Sequence, residues 1–173
     1  MRFQRPNWTF YMALVGLGVV VLTQATLISR VRVLGVSPDL LLVTVVGWSL
    51  LRGVGEGLLW GFAGGLGIDV ISGLPLGMSA LALLPAAWLG GLGRGTIYSS
   101  SAILSLLLVT VATPLRGWLI LALQAASGLQ VDWIATTLHV ISVEAALNVL
   151  LMAAIYPVMR VWVMPLDKPT AGL

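Results

Sequence analysis

Four ionisable residues, Asp39, Asp69, Arg116 and Glu144, stand in or at the edge of long apolar runs, and Asn148 follows Glu144 by one helical turn. Carboxylates beside a guanidinium can form a charge-neutralising network, relay protons, or line a polar cavity for a solute. An arginine near a helix centre costs on the order of 2.5–3.5 kcal/mol on insertion scales, so it should face a bundle interior and have a partner. Depth narrows the choice. Arg116 lies about eight residues, ~12 Å, from the outer end of its run. Asp69 is a few residues from the next turn, and Asp39 opens a run. The spacing predicts that Asp69, Asp39 and Arg116 meet in the outer half, with Asp69 paired to Arg116 and Glu144 below them. At 100° per residue, Thr137, Glu144 and Asn148 fall within roughly 40° of one another. Thr110, Thr113, Arg116 and Gln124 cover about a third of their helix. A solute or proton site and a satisfied network that fixes helix register are both compatible with this pattern, and the second is favoured.

Other chemistries lack their parts. His139 points away from the Glu144 stripe and has no second ligand candidate, so no metal site is expected. The chain has no cysteine, which excludes disulfides, thiolate metal sites and a cysteine nucleophile. Ser99-Ser100-Ser101 has no neighbouring base, and no hydrolase or phosphate-loop motif occurs. The glycines at 90, 91, 93 and 95 around Arg94 lack the preceding strand, lysine and hydroxyl of a phosphate cradle, and read as helix-end packing and C-capping. No enzyme activity and no cofactor are expected.

The elements that must hold these residues are helices. The 173 residues are 59% hydrophobic and 9% charged, against about 25% charged in soluble proteins. The class is therefore an all-α polytopic membrane protein with one transmembrane domain over 1–173. Its apolar runs predict six helices, at about residues 8–29, 38–51, 57–71, 76–92, 100–126 and 132–163. The first follows a short basic segment and reads as an uncleaved span, with Trp8, Phe10 and Tyr11 as interfacial anchors. Ser37, Pro38 and Asp39 suit the start of the second helix, where the dipole favours an anion. The second and third helices are short and read as an internal hairpin. In the third, Gly53, Gly57, Gly61 and Gly65 recur every four residues on one face, and Asp69 continues it. Glycines there would let backbones approach closely in lipid, so this helix is predicted to be the buried centre of the bundle. Pro85 should kink the fourth helix, Pro157 lies near the inner end of the sixth, and residues 166–173 form a polar tail.

The net charge of +3 comes from basic residues scattered at segment ends, with no stripe for nucleic acid. Six spans put Arg2, Arg5, Arg52, Arg94, Arg160 and Lys168 inside, and Arg30 and Arg32 outside, with both termini cytoplasmic.

With Pro38-Asp39-Leu-Leu-Leu-Val and Gly61-Phe-Ala-Gly-Gly-Leu-Gly-Ile-Asp69-Val-Ile-Ser-Gly-Leu-Pro-Leu-Gly77 in view, the chain resembles the rod-shape-determining protein MreD family over essentially its whole length. That resemblance implies a bacterial cytoplasmic-membrane scaffold of the cell-elongation machinery. It would bind the bitopic protein MreC and act indirectly with the MreB filament, the RodA glycosyltransferase and a class B penicillin-binding protein. The family is also similar in fold to the substrate-binding subunits of energy-coupling-factor vitamin transporters. The alternative function is thus a small-molecule transport subunit with a pocket lined by Asp39, Asp69 and Arg116. The sixth segment and tail match the family only in hydropathy, so the resemblance carries no role onto Arg116 or Glu144.

The charge asymmetry is open to direct test, because the natural chain has no cysteine. In intact cells, Arg32→Cys should react with a membrane-impermeant thiol reagent and Arg94→Cys should not. The reverse labelling would overturn the orientation.

Overall fold

A computed structural model describes residues 8–26, 30–73, 75–94 and 102–163, with side chains from residue 15 onward. The basic start of the chain, the aromatic anchors near it, Gly95, the three serines at 99–101, Lys168 and the tail lie outside the described side chains. The helices are α1 (Trp8–Thr26), α2 (Leu40–Arg52), α3 (Val54–Ser72), α4 (Met78–Leu92), α5 (Ala102–Ala126) and α6 (Trp133–Val163). By length and composition α3, α5 and α6 are able to cross a membrane, while α2 and α4 are shorter. Among the described residues no strand forms; one isolated pairing, Val33 with Val36, closes a turn.

The centre of the bundle is α2. Leu41 through Leu50 are buried without a break, and α2 packs against all five other helices. A helix that is apolar or small on every side has no face to give to lipid or water in preference to protein. This overturns the expectation that α3 is the buried centre. Helix α3 buries one face, made of Gly57, Gly61, Gly64, Gly65 and Asp69, and exposes Leu59, Phe62, Val70 and Ile71 on the other. It is also longer than expected, at 19 residues, with Glu56 in its first turn, where the helix dipole favours a carboxylate.

The glycine face works by unequal degrees of closeness. A Cβ on Gly65 would fall within the backbone of Ala80, 2.9 Å from the carbonyl carbon of Ser79. One on Gly57 would strike Ser49, whose hydroxyl donates to the Ala87 carbonyl. On Gly64 the nearest atom is the flexible end of Leu41, at 2.7 Å. Gly61 differs, because its nearest atom would be the Ala87 Cβ at 3.4 Å, an ordinary contact. Gly53 is not part of the helical face. It is the single residue between α2 and α3, with φ at 99°, and its N–H donates to Ser49 O over 2.7 Å. Glycine is required there first by conformation, and a Cβ would also fall 2.7 Å from an Arg94 guanidinium nitrogen. On α4, a Cβ on Gly90 would fall 2.8 Å from the Val46 carbonyl oxygen, and one on Gly91 would fall 2.6 Å from the Val54 backbone.

The α2–α3 turn is tied from several directions. Glu56 accepts from Arg52 at 3.0 Å and from the Trp48 indole at 3.2 Å, and the rings of Trp48 and Trp60 stack with centroids 4.1 Å apart. Arg94 reaches from the end of α4 to the Arg52 carbonyl.

Helix α6 changes its winding part-way. A single α turn, Trp133–Ala135, leads into a π-helical segment, Thr136–Ile141, and then into regular α-helix from Ser142 to Val163. Across this change of winding Thr137, Glu144 and Asn148 all face α5, accepting from the Trp118 indole at 3.3 Å, lying 3.5 Å from Arg116 and donating to Thr113 at 3.2 Å respectively, as the expected single stripe requires.

The distances at α3 separate two substitutions of equal size. Gly65→Ala should destabilise the detergent-solubilised protein by about 1–3 kcal/mol through overpacking against backbone. Gly61→Ala should be neutral or slightly stabilising, since alanine costs the unfolded chain less entropy to order. Thermal unfolding monitored by circular dichroism would show a lowered midpoint for the first variant only.

Candidate functional site

The first turn of α2 lies well inside the bundle. From the level of Asp39, α5 continues about ten residues beyond Arg116, or ~15 Å, and α6 begins a similar distance before Glu144. A helix start leaves its first four N–H groups without intrahelical partners, and at membrane depth each must find one within the protein. Side chains from two helices and the connecting segment provide three of them. The Asp39 carboxylate accepts from Leu42 N at 2.9 Å as the N-cap. Asn148 of α6 accepts from Asp39 N at 2.7 Å. Gln24 of α1 accepts from Leu40 N at 2.7 Å and donates to the Pro38 carbonyl at 3.4 Å.

The charges are built onto this cap. Arg116 Nη1 stands 2.8 Å from Asp39 Oδ2 and 3.5 Å from Glu144 Oε1. The amide of Asn148 donates to Thr113 Oγ1 at 3.2 Å, and that hydroxyl donates to the Val109 carbonyl at 2.9 Å. The network thus joins α1, α2, α5 and α6 through one buried cluster. One guanidinium nitrogen serves both carboxylates, and Arg116 Nε is buried with no hydrogen-bond partner among the described residues.

Asp69 is elsewhere. Its side chain is fully buried and accepts from Gly77 N at 2.9 Å and from Ser79 N at 2.9 Å. Gly77 is the N-cap of α4 and has no side chain to cap with, so Asp69 does this from the neighbouring helix. The expected Asp69–Arg116 pair does not form, because both oxygens of Asp69 are occupied by the start of α4 and Arg116 is taken by Asp39. The structure brings Asp39, Arg116, Glu144 and Asn148 together and leaves Asp69 at a second cap. His139 is exposed on the π segment. Gln24 was not anticipated, and its signal was available: it is the one carboxamide in α1, able to accept and donate at once.

The family model for rod shape-determining protein MreD matches residues 4–165. The chain belongs to the MreD family. That match takes in every described helix and both capped helix starts. This makes it a membrane protein with a part in determining rod shape. Comparison with the curated proteins and with the solved structures gave no match.

The network assigns distinct pairwise couplings. In a double-mutant cycle, Arg116→Met and Asp39→Asn should interact by more than ~1 kcal/mol, because either alone strands a buried charge. Arg116→Met and Asp69→Asn share no partner and should be additive within about 0.5 kcal/mol. Unfolding free energies in a fixed detergent would decide it.

Proposed function

We propose that this MreD-family chain is a non-enzymatic membrane scaffold of the cell-elongation machinery. In this reading it binds MreC and, through that contact, acts with the MreB filament, RodA and a class B penicillin-binding protein to organise peptidoglycan synthesis. The observation that carries the reading is the family match, which spans the whole helical bundle. The chemistry of the interior supports it. Asp39, Asp69 and Asn148 are each engaged in holding a helix start in place. Such a use of polar groups rigidifies a bundle, which is what a docking platform requires. The transport-subunit alternative has no comparable support, since no solved structure matches the chain.

The proposed topology places the bacterial cytoplasmic membrane around six spans with both termini in the cytoplasm. In it, the Asp39–Arg116–Glu144 cluster lies in the outer half and the Arg52–Glu56 turn faces the cytoplasm.

Affinity purification from native membranes tests the proposal. The natural chain should bring down MreC. Asn148→Leu, which leaves Asp39 N without an acceptor at a cost of about 1–3 kcal/mol, should reduce the recovered MreC in step with the loss of folded protein. Recovery of a folded chain that carries no MreC would overturn the partner. A raised unfolding temperature with a vitamin-type solute would favour the transport alternative.

A further inference from the structure

The segment joining α1 to α2 carries a feature that neither the cap nor the bundle uses. Arg30, Val31, Arg32, Val33, Leu34 and Gly35 are all exposed. Val33 and Val36 exchange two backbone hydrogen bonds, 2.9 and 3.0 Å, across a two-residue turn. Both turn residues have positive φ, 54° at Leu34 and 82° at Gly35, as a type I′ turn requires. Asparagine or glycine ordinarily fills the first of these places, since a bulky side chain is strained in that conformation. Here it is leucine, and its side chain is 85% exposed. Among the described residues nothing covers the tip. Val31 and Val33 extend the apolar surface, at 53% and 44% exposed. Two guanidinium groups flank it.

We propose that this turn is a membrane-surface anchor, with Leu34 and the valines seated among lipid chains and Arg30 and Arg32 on anionic phospholipid headgroups. The arrangement fits a bilayer boundary in both respects. Apolar side chains at a tip gain by leaving water, and arginines just above them meet the phosphates bidentately. Arg30 and Arg32 also alternate with Val31 and Val33 and so break up the exposed apolar surface, which argues against a protein partner that needs a continuous apolar contact. The anchor would fix the depth of the α1–α2 connection, and hence of the first turn of α2 and its charge cluster. It depends on the chain lying in a membrane, not on the scaffold function or on which side of the membrane the turn faces.

The cysteine-free sequence supplies the test. Full-length Leu34→Cys and, as a control on the exposed α5–α6 connection, Gln130→Cys are spin-labelled in proteoliposomes containing phosphatidylglycerol. The label at 34 should collide more with oxygen than with a water-soluble nickel chelate, and the label at 130 should do the opposite. A label at 34 as open to the chelate as that at 130 would overturn the anchor, and so would one shielded from both reagents, which would mean protein cover. In a second arm, Arg30→Gln with Arg32→Gln should lower the enrichment of phosphatidylglycerol over phosphatidylcholine around the protein several-fold, with an unchanged unfolding temperature. Undiminished enrichment would remove the headgroup contact from the proposal.

Discussion

A helix that begins inside a membrane protein has N–H groups that water cannot reach, and this constraint organises the structure. It arises twice. The start of α2 is satisfied by Asp39 itself, by Asn148 and by Gln24. The start of α4 is satisfied by Asp69. Carboxylates suit both places, because the partial positive charge of a helix N-terminus favours an anion and hydrogen bonds to a charged acceptor are the stronger ones. The cost of placing acids at depth is thereby offset where it arises.

Arg116 follows from the same constraint. Once Asp39 caps α2 within the bundle, a cation from α5 can neutralise it, and Glu144 comes within reach of the same nitrogen. Four helices are then joined through one set of hydrogen bonds, with Thr113 and Asn148 completing it. Buried networks of this kind specify a single arrangement, since each member left unpaired would be costly. The glycines serve the same end by another route. Gly57 and Gly65 bring α3 against α2 and α4 at backbone distance, and that approach lets Asp69 reach the start of α4. Packing and capping are therefore coupled along α3, and a side chain added at Gly65 would disturb the cap as well as the contact.

For the proposed scaffold role, rigidity and exposed surface are separate resources, and the chain divides them between its elements. Helix α2 contributes almost no surface, with ten consecutive residues buried, and acts as the post around which the others stand. Helices α3, α5 and α6 turn large side chains outward, among them Phe62, Trp118, Leu138 and Trp162. A partner helix or lipid would meet those faces, while the charges remain out of its reach. This division suits the scaffold role proposed above.

Composition alone determined that the chain is helical and membrane-bound, because so little charge leaves no other class. The apolar runs set the number and approximate bounds of the helices. The four-residue glycine spacing identified the buried face of α3, since periodicity in a helix is a local property. The prominence of Asp39, Asp69, Arg116, Glu144 and Asn148 was also legible, because charge in an apolar run demands a partner. Which partner each one finds was decided only by tertiary structure. Depth along a helix constrains pairing in one dimension, whereas Asp69 faces α4 and Asp39 faces α5, a difference of direction around the bundle that no spacing encodes. The centrality of α2 rather than α3, the conformational role of Gly53 and the π segment of α6 have the same origin. Each depends on how whole helices pack, and that is settled by the neighbours that a segment meets rather than by the segment itself.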